Sequence, residues 1–363
     1  MKSLFKNIFK STSIKLFKLI YGSVFYQKKK DISKIYSEVS IKFKNFKNYY
    51  KIYILKNSRL YTDRIQDTAL IYKNLLINGP SFQLRNNINS NIKKNIVLNK
   101  GTPRFLKNIN GEVLSLLTGG GGNENYFHWF FDVLPRIAIF EKKFNIKKID
   151  YVLCPNLNQW QTRSLLLLGF KKQQLLSSIK FRHIYSPKIY LTSHPWNFNS
   201  NILKDFENIP PWISEWLKKR YLKFRSNKSF SKKIYIDRSD SKSNLKNFRS
   251  IINELEVIDF LKKKNFTIVQ LSKLKFEDQI KMFYDAKVIV GLHGAGLTNI
   301  VWSKEKTNIL ELKSKYTIQL YKNLSKQNKL NYFSIETIPI GDRIADHYGA
   351  IHIDIKKLEM LNI

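Results

Sequence analysis

Two hydrophobic rhythms divide the chain. From Lys233 onward short apolar runs alternate with amphipathic stretches: KIYID at 233–237, FTIVQ at 266–270, KVIVG at 287–291, NILEL at 308–312 and NYFSI at 331–335 have the length and β-branched content of buried strands. Helical patterns near 250–263, 276–286 and 318–324 separate them. Strands alternating with helices predict right-handed βαβ units and a parallel, doubly wound sheet. Ligands of such sheets sit beyond the carboxyl ends of the strands, the edge to which Arg238, His293 and Glu311 are assigned.

The first half is less regular. Residues 31–124 are polar and aromatic, with alternating stretches such as YYKIYIL at 49–55 and GEVLSLL at 111–117 that read as strands joined by Asn/Gly turns. After glycines 119–122 a helix is expected from about Asn125, then a buried strand at 151–154 and a helix over 160–168 closed by Gly169. Residues 208–232 hold Pro210, Pro211, the amphipathic WISEWLKKRYLKF and the polar SNKSFSK, and are expected to connect two domains. The resulting division is a basic amphipathic segment at 1–30, an α/β domain at 31–207, the connection at 208–232, a second α/β domain at 233–345 and a tail helix at 346–363.

Charge adds partners to this picture. Lys and Arg number 64 against 27 Asp and Glu, a net +37, which points to nucleic acid, an anionic membrane surface or a phosphate-bearing substrate. Crowding of Lys, Asn and Ile together spreads part of that charge over solvated faces. No basic module or RNP-like aromatic strand is found, so nucleic acid is not expected as a partner. The first thirty residues carry eight lysines and no acid among bulky apolar groups; this suits an amphipathic helix on an anionic leaflet, or a basic helix packed on the protein itself. No run reaches the ~18 apolar residues of a membrane span. The single cysteine, Cys154, lies in the apolar run YVLCP, so it reads as a core residue in a reducing compartment.

Two segments carry chemistry. In GLHGAGLTN, glycines 294 and 296 allow close backbone approach, and the following helix start, with Thr298 and Asn299, offers N–H groups to a diphosphate. A lipase-like reading of HGAG fails because no G-x-S-x-G elbow exists. Arg238 is placed to pair with phosphate oxygens. Arg249 could do the same or form an ion pair with Glu254 or Asp240, and Glu311 could accept ribose hydroxyls. In NYFHWFFDVLPR at 125–136, helical spacing puts His128, Asp132 and Arg136 on one stripe opposite Phe127, Phe130, Phe131 and Leu134. A His paired with an Asp at i+4 has the makings of a general base for a hydroxyl, or of a structural tie. If Asp132 only orients the ring, Asp132→Asn costs less than His128→Ala. No Asp-x-Asp occurs, so no metal cofactor is expected and diphosphate charge would fall to Arg238, Arg249 and the helix start.

The ordered set NYFHWFFDVLPR, IYIDRSD, FRSIINE, FEDQIKMFYDAKVIVGLHGAGLTNIVW and ILEL resembles glycosyltransferase family 61 over roughly residues 100 to 315. The resemblance implies the GT-B architecture of two Rossmann-like domains with a cleft between them. It also implies a nucleotide-sugar donor held by the C-terminal domain, inversion at the anomeric carbon, and a glycan or lipid-linked glycan acceptor of the kind used in capsular polysaccharide, lipopolysaccharide and other surface glycans. On that pattern Arg238, Arg249, His293, Gly294, Ala295, Gly296, Thr298, Asn299 and Glu311 serve the donor. His128 and Asp132 catalyse, with Glu124, Asn125, Tyr126 and Arg136 on the acceptor side. Family members often carry two adjacent basic residues where Phe248 and Ser250 flank a lone Arg249. The expected location is cytoplasmic, peripheral at the inner membrane face. The alternatives are a non-catalytic glycan- or nucleotide-binding protein of the same fold and, further off, a nucleic-acid-binding protein.

Overall fold

A computed structural model of the chain describes residues 2–26, 37–44, 46–62, 68–79, 81, 83–85, 88–90, 92–117, 125–198, 202–239, 249–341 and 348–361. The chain is mixed α/β and divides into two compact units, Met1–Asp205 and Phe206–Ile363.

The first unit is built on a long strand, β1 (Tyr49–Thr62), followed by β2 (Glu112–Ser115), β3 (Tyr151–Cys154), β4 (Leu175–Ser177) and β5 (His183–Thr192). β1 pairs antiparallel with Ser37–Lys42, Thr68–Tyr72 and β5, whereas β5, β2, β3 and β4 lie parallel in that order. A Rossmann-like sheet was the expectation here, and the mixed sheet departs from it. The reason is pairing at long range: β1 joins β5 over nine residue pairs, from Tyr61 with His183 to Ile52 with Thr192, and this antiparallel seam needs no crossover helix. Only the parallel part requires helical crossovers, and the one from β2 to β3 is the segment that carries His128.

The second unit contains β6 (Lys233–Asp237), β7 (Thr267–Gln270), β8 (Val288–Leu292), β9 (Asn308–Ser314) and β10 (Asn331–Thr337), all parallel in the order β7-β6-β8-β9-β10. Every residue of β8 is buried, as a central parallel strand covered on both faces requires. Val257 and Leu261 of helix Glu254–Lys263 close over Tyr235, Val290, Leu310 and Leu312. Chain order reverses between β6 and β8, which makes the carboxyl ends of these two strands the crevice where an open α/β sheet takes ligands.

The stretch expected to connect the domains belongs to the second unit. Its helix, Pro211–Tyr221, buries Trp212, Ile213, Leu217 and Tyr221. The Tyr221 ring lies 5.4 Å from Phe276 and 5.9 Å from Trp302. An amphipathic helix must cover its apolar stripe, and here the stripe faces the unit's own core. In the tail the helix is Ile355–Met360, capped by Asp354.

Candidate active site

In the first unit the helix bearing His128 starts at Asn125, whose side chain caps it by accepting from the His128 backbone N–H at 3.2 Å. After Tyr126–His128 the backbone widens into a π turn over Trp129–Val133, closed by Leu134 N–H donating to the Trp129 carbonyl at 3.0 Å, and it tightens again at Pro135–Glu141. Pro135 has no N–H to give the preceding turn, and local widening of this kind recurs at functional sites. Trp129 docks the turn by donating to Ser164 at 2.8 Å.

His128 and Asp132 meet as expected, with Nδ1 of the ring 2.7 Å from Oδ2. The second carboxylate oxygen accepts from Trp196 Nε1 at 2.6 Å. Asp132 is buried and the His128 side chain is 35% exposed. A proton on Nδ1 directed at the carboxylate leaves the lone pair on Nε2, the tautomer a base needs. Burial lowers the His128 pKa, but the charge and hydrogen bond of Asp132 outweigh it and the net shift is upward. Burial alone would raise Asp132, yet His128, His194 and Trp196 together hold it below the usual carboxylate range. His194 is driven the other way, to about 3, chiefly by burial. Its Nδ1 accepts the backbone N–H groups of Trp196 and Asn197 at 3.4 and 3.1 Å, so it folds as the neutral ring.

The remaining acceptor-side expectations divide. Tyr126 packs on Phe130 and Trp160 with ring centroids 4.7 and 4.9 Å away. Arg136 is fully buried, its Nε donating to the Asp132 backbone carbonyl at 2.9 Å and Nη1 to that of Thr192 at 3.5 Å. It braces the turn from inside rather than presenting a charge outward, since its helical stripe continues into the unit's core. Burial brings its pKa to about 10, still a cation at neutral pH. Glu124 and glycines 119–122 lie outside the described residues. Trp196 was not anticipated: it stands sixty-four residues from Asp132, beyond β5, with no local period to mark it.

In the second unit Arg238 leaves the end of β6 and donates from Nη1 to the His293 carbonyl at 2.8 Å, across the turn that follows β8. Gly294 leaves room for this approach: a Cβ there would stand 2.9 Å from both Cζ and Nη1 of Arg238 and push the guanidinium aside. At Gly296 a Cβ would press on Leu271 and Ile236 at 3.1 and 3.3 Å. Arg249, at φ 45°, stacks on Tyr348 with its guanidinium carbon 4.5 Å from the ring. Its charge is felt by both Arg238 and His293. Burial first, then Arg249, lowers the pKa of Arg238, so two guanidinium groups converge where an anion would relieve them.

His293 is almost fully buried, with Nδ1 2.5 Å from Glu311 Oε1. The other oxygen of Glu311 accepts from Tyr332 at 2.5 Å and lies 3.9 Å from the buried Lys313, which in turn reaches Glu336 at 3.3 Å. With no exposed surface and both oxygens engaged, Glu311 orients His293, and the ribose contact expected of it is not what the geometry offers. Burial lowers the His293 pKa more than Glu311 raises it, with Arg249 and Lys313 adding to the lowering. Thr298 and Asn299 also face inward, because from Leu297 the short helix Ala295–Trp302 is buried. The Asn299 amide donates to the Gly296 carbonyl at 3.2 Å and accepts from Trp302 at 3.0 Å. Tyr321 completes the brace by donating to the Gly294 carbonyl at 2.7 Å. The structure thus gathers Arg238, Arg249, His293, Gly294, Ala295 and Gly296 at the crevice, with Thr298, Asn299 and Glu311 behind them. Among the described residues no group of three or more His, Cys, Asp or Glu is placed to hold a metal ion.

The sequence pattern of the family described as Glycosyltransferase 61 matches residues 126–310, just over half of the chain, a span that covers both the His128 turn and the His293 turn. A 92-residue segment is 26% identical to EGF domain-specific O-linked N-acetylglucosamine transferase of Canis lupus familiaris and of Bos taurus, and 24% identical to that of Gallus gallus. The segment is 24% of this chain and 17 to 18% of those relatives, so the likeness spans under a fifth of their length. On the match across both turns, the chain belongs to glycosyltransferase family 61.

Proposed function

We propose that the protein is an inverting glycosyltransferase that moves a sugar from a nucleotide-sugar donor to a glycan or lipid-linked glycan acceptor. The observation that carries this reading is the convergence of Arg238, Arg249 and His293 at the crevice where the second unit's winding reverses, a place suited to a diphosphate. The two guanidinium groups stabilise the leaving diphosphate, and His293, held by Glu311, adds a proton donor once an anion draws it into the charged form. In the first unit His128 Nε2 takes the proton of the attacking acceptor hydroxyl. Asp132, buried and anchored by Trp196, stabilises the resulting imidazolium. A single displacement of this kind inverts the anomeric carbon. In this reading the two units are the halves of a GT-B transferase, no metal is needed, and the work is done in the cytoplasm at the inner membrane face in surface polysaccharide assembly.

The relatives' names make N-acetylglucosamine the first sugar to try. Thermal-shift screening against a panel of nucleotide sugars, then NMR of the anomeric configuration of any product, tests the proposal. A protein that no nucleoside diphosphate or nucleotide sugar stabilises is not this enzyme. Abolition by EDTA with rescue by Mn²⁺ would remove metal independence alone.

A further inference from the structure

We infer that the N-terminal helix Lys2–Tyr21 is a docking surface for an anionic lipid leaflet, with Leu16, Leu19 and Ile20 as the inserting groups. Among the described residues the helix meets the first unit through Phe17 and Tyr21. Phe17 is buried with its ring edge against Phe105 at 5.0 Å, and Tyr21 meets His183 at 5.0 Å and accepts the Leu106 backbone N–H at 2.9 Å. Gly22, at φ 77°, ends the helix by returning its N–H to the Lys18 carbonyl. Leu16, Leu19 and Ile20, related as i, i+3 and i+4, are left 52, 85 and 52% exposed, and Phe105 beside Phe17 is exposed too. Isolated exposed apolar residues need no explanation, but three on one turn with a neighbouring aromatic form a patch that wants cover.

Charge selects the occupant. Lys10 and Lys15 are exposed on the same helix, and residues 1–30 contain eight lysines and no acid. A second copy of this chain would set lysine against lysine. A leaflet of anionic headgroups over an apolar interior answers both features. No helix among the described residues is long and apolar enough to cross a membrane, so this is attachment from one side. The inference deepens the proposed location at the membrane face and does not depend on which sugar is moved.

The test is co-sedimentation of the full chain with phosphatidylcholine vesicles, with and without phosphatidylglycerol, for the wild type and for the triple variant L16S/L19S/I20S, which keeps every charge. Wild type should bind the anionic vesicles, weaken with added salt, and ignore pure phosphatidylcholine. The triple variant should partition about tenfold less or worse, with unchanged melting temperature and unchanged transfer to a water-soluble acceptor. Equal binding by wild type and triple variant would mean that overall charge suffices and would overturn the inference. So would a wild-type dimer that the triple variant converts to monomer, since the patch would then be a self-interface. The charge variant K10E/K15E should lose anionic binding as well, and its retention of full binding would count against the inference. Loss of transfer with intact vesicle binding would instead count against the catalytic reading.

Discussion

Asp132→Asn is expected to disable the base at His128 as fully as deleting the imidazole. Trp196 Nε1 can only donate, and it donates to one Asp132 oxygen at 2.6 Å while His128 Nδ1 stands 2.7 Å from the other. In the asparagine variant the amide oxygen must therefore stay on Trp196, and the amide NH₂ faces His128. Nδ1 then has to accept, the ring proton moves to Nε2, and the nitrogen needed for the acceptor hydroxyl loses its lone pair. Turnover per folded molecule should fall by about 10² to 10⁴, roughly 3 to 5 kcal/mol of barrier and comparable to His128→Ala. This is a larger loss than a purely orienting Asp132 would give. Adding Trp196→Phe to Asp132→Asn frees the amide to turn its oxygen toward Nδ1–H, so the double variant should recover part of the lost activity. Transfer rates normalised to folded protein, together with ¹⁵N histidine NMR that reads the tautomer directly, decide the matter. An Asp132→Asn protein within a few-fold of wild type, or one that Trp196→Phe leaves unchanged, would refute this account of the site.

Three further outcomes are expected. Arg238→Ala should weaken nucleoside diphosphate binding by ~1.5 to 3 kcal/mol, as for a lost charged hydrogen bond. Gly294→Ala should act in the same direction, because its Cβ would displace the Arg238 guanidinium; titration calorimetry that finds both unchanged removes Arg238 from the site. Since burial depresses His293 in the free protein and a bound diphosphate favours the imidazolium, binding should take up a proton and weaken as pH rises. Calorimetry in buffers of different ionisation enthalpy would expose a lack of uptake. His194 is held near 3 against an ordinary 6.5, so its contribution to stability is present above pH 6.5 and is lost progressively as pH falls toward 3. His194→Gln should flatten the decline of melting temperature between pH 7 and 4, and an unaltered slope assigns the acid sensitivity elsewhere.

Local periodicity was enough to place the strands of the second unit within a residue or two, as KVIVG at 287–291 against Val288–Leu292 shows, because a strand covered on both faces must be a short apolar run. It also brought His128 to Asp132, since four residues make one helical turn and the intervening π turn does not part them. The first unit's sheet was not legible. Whether β5 runs with or against β1 is decided by partners more than a hundred residues apart, and a strand's own pattern is the same in either case. Trp196, Tyr332 and Lys313 escaped for the same reason, each reaching a carboxylate that another strand or helix supplies, Lys313 that of Glu336 on β10. Spacing likewise placed Thr298, Asn299 and Glu311 near the crevice without telling which way they face. The amino-acid sequence by itself determined the parallel sheet, the two turns and the histidine at each. Only the tertiary structure decided which polar groups lie at the crevice and which hold the others in place, because a buried carboxylate or amide must find its partners wherever the folded chain brings them.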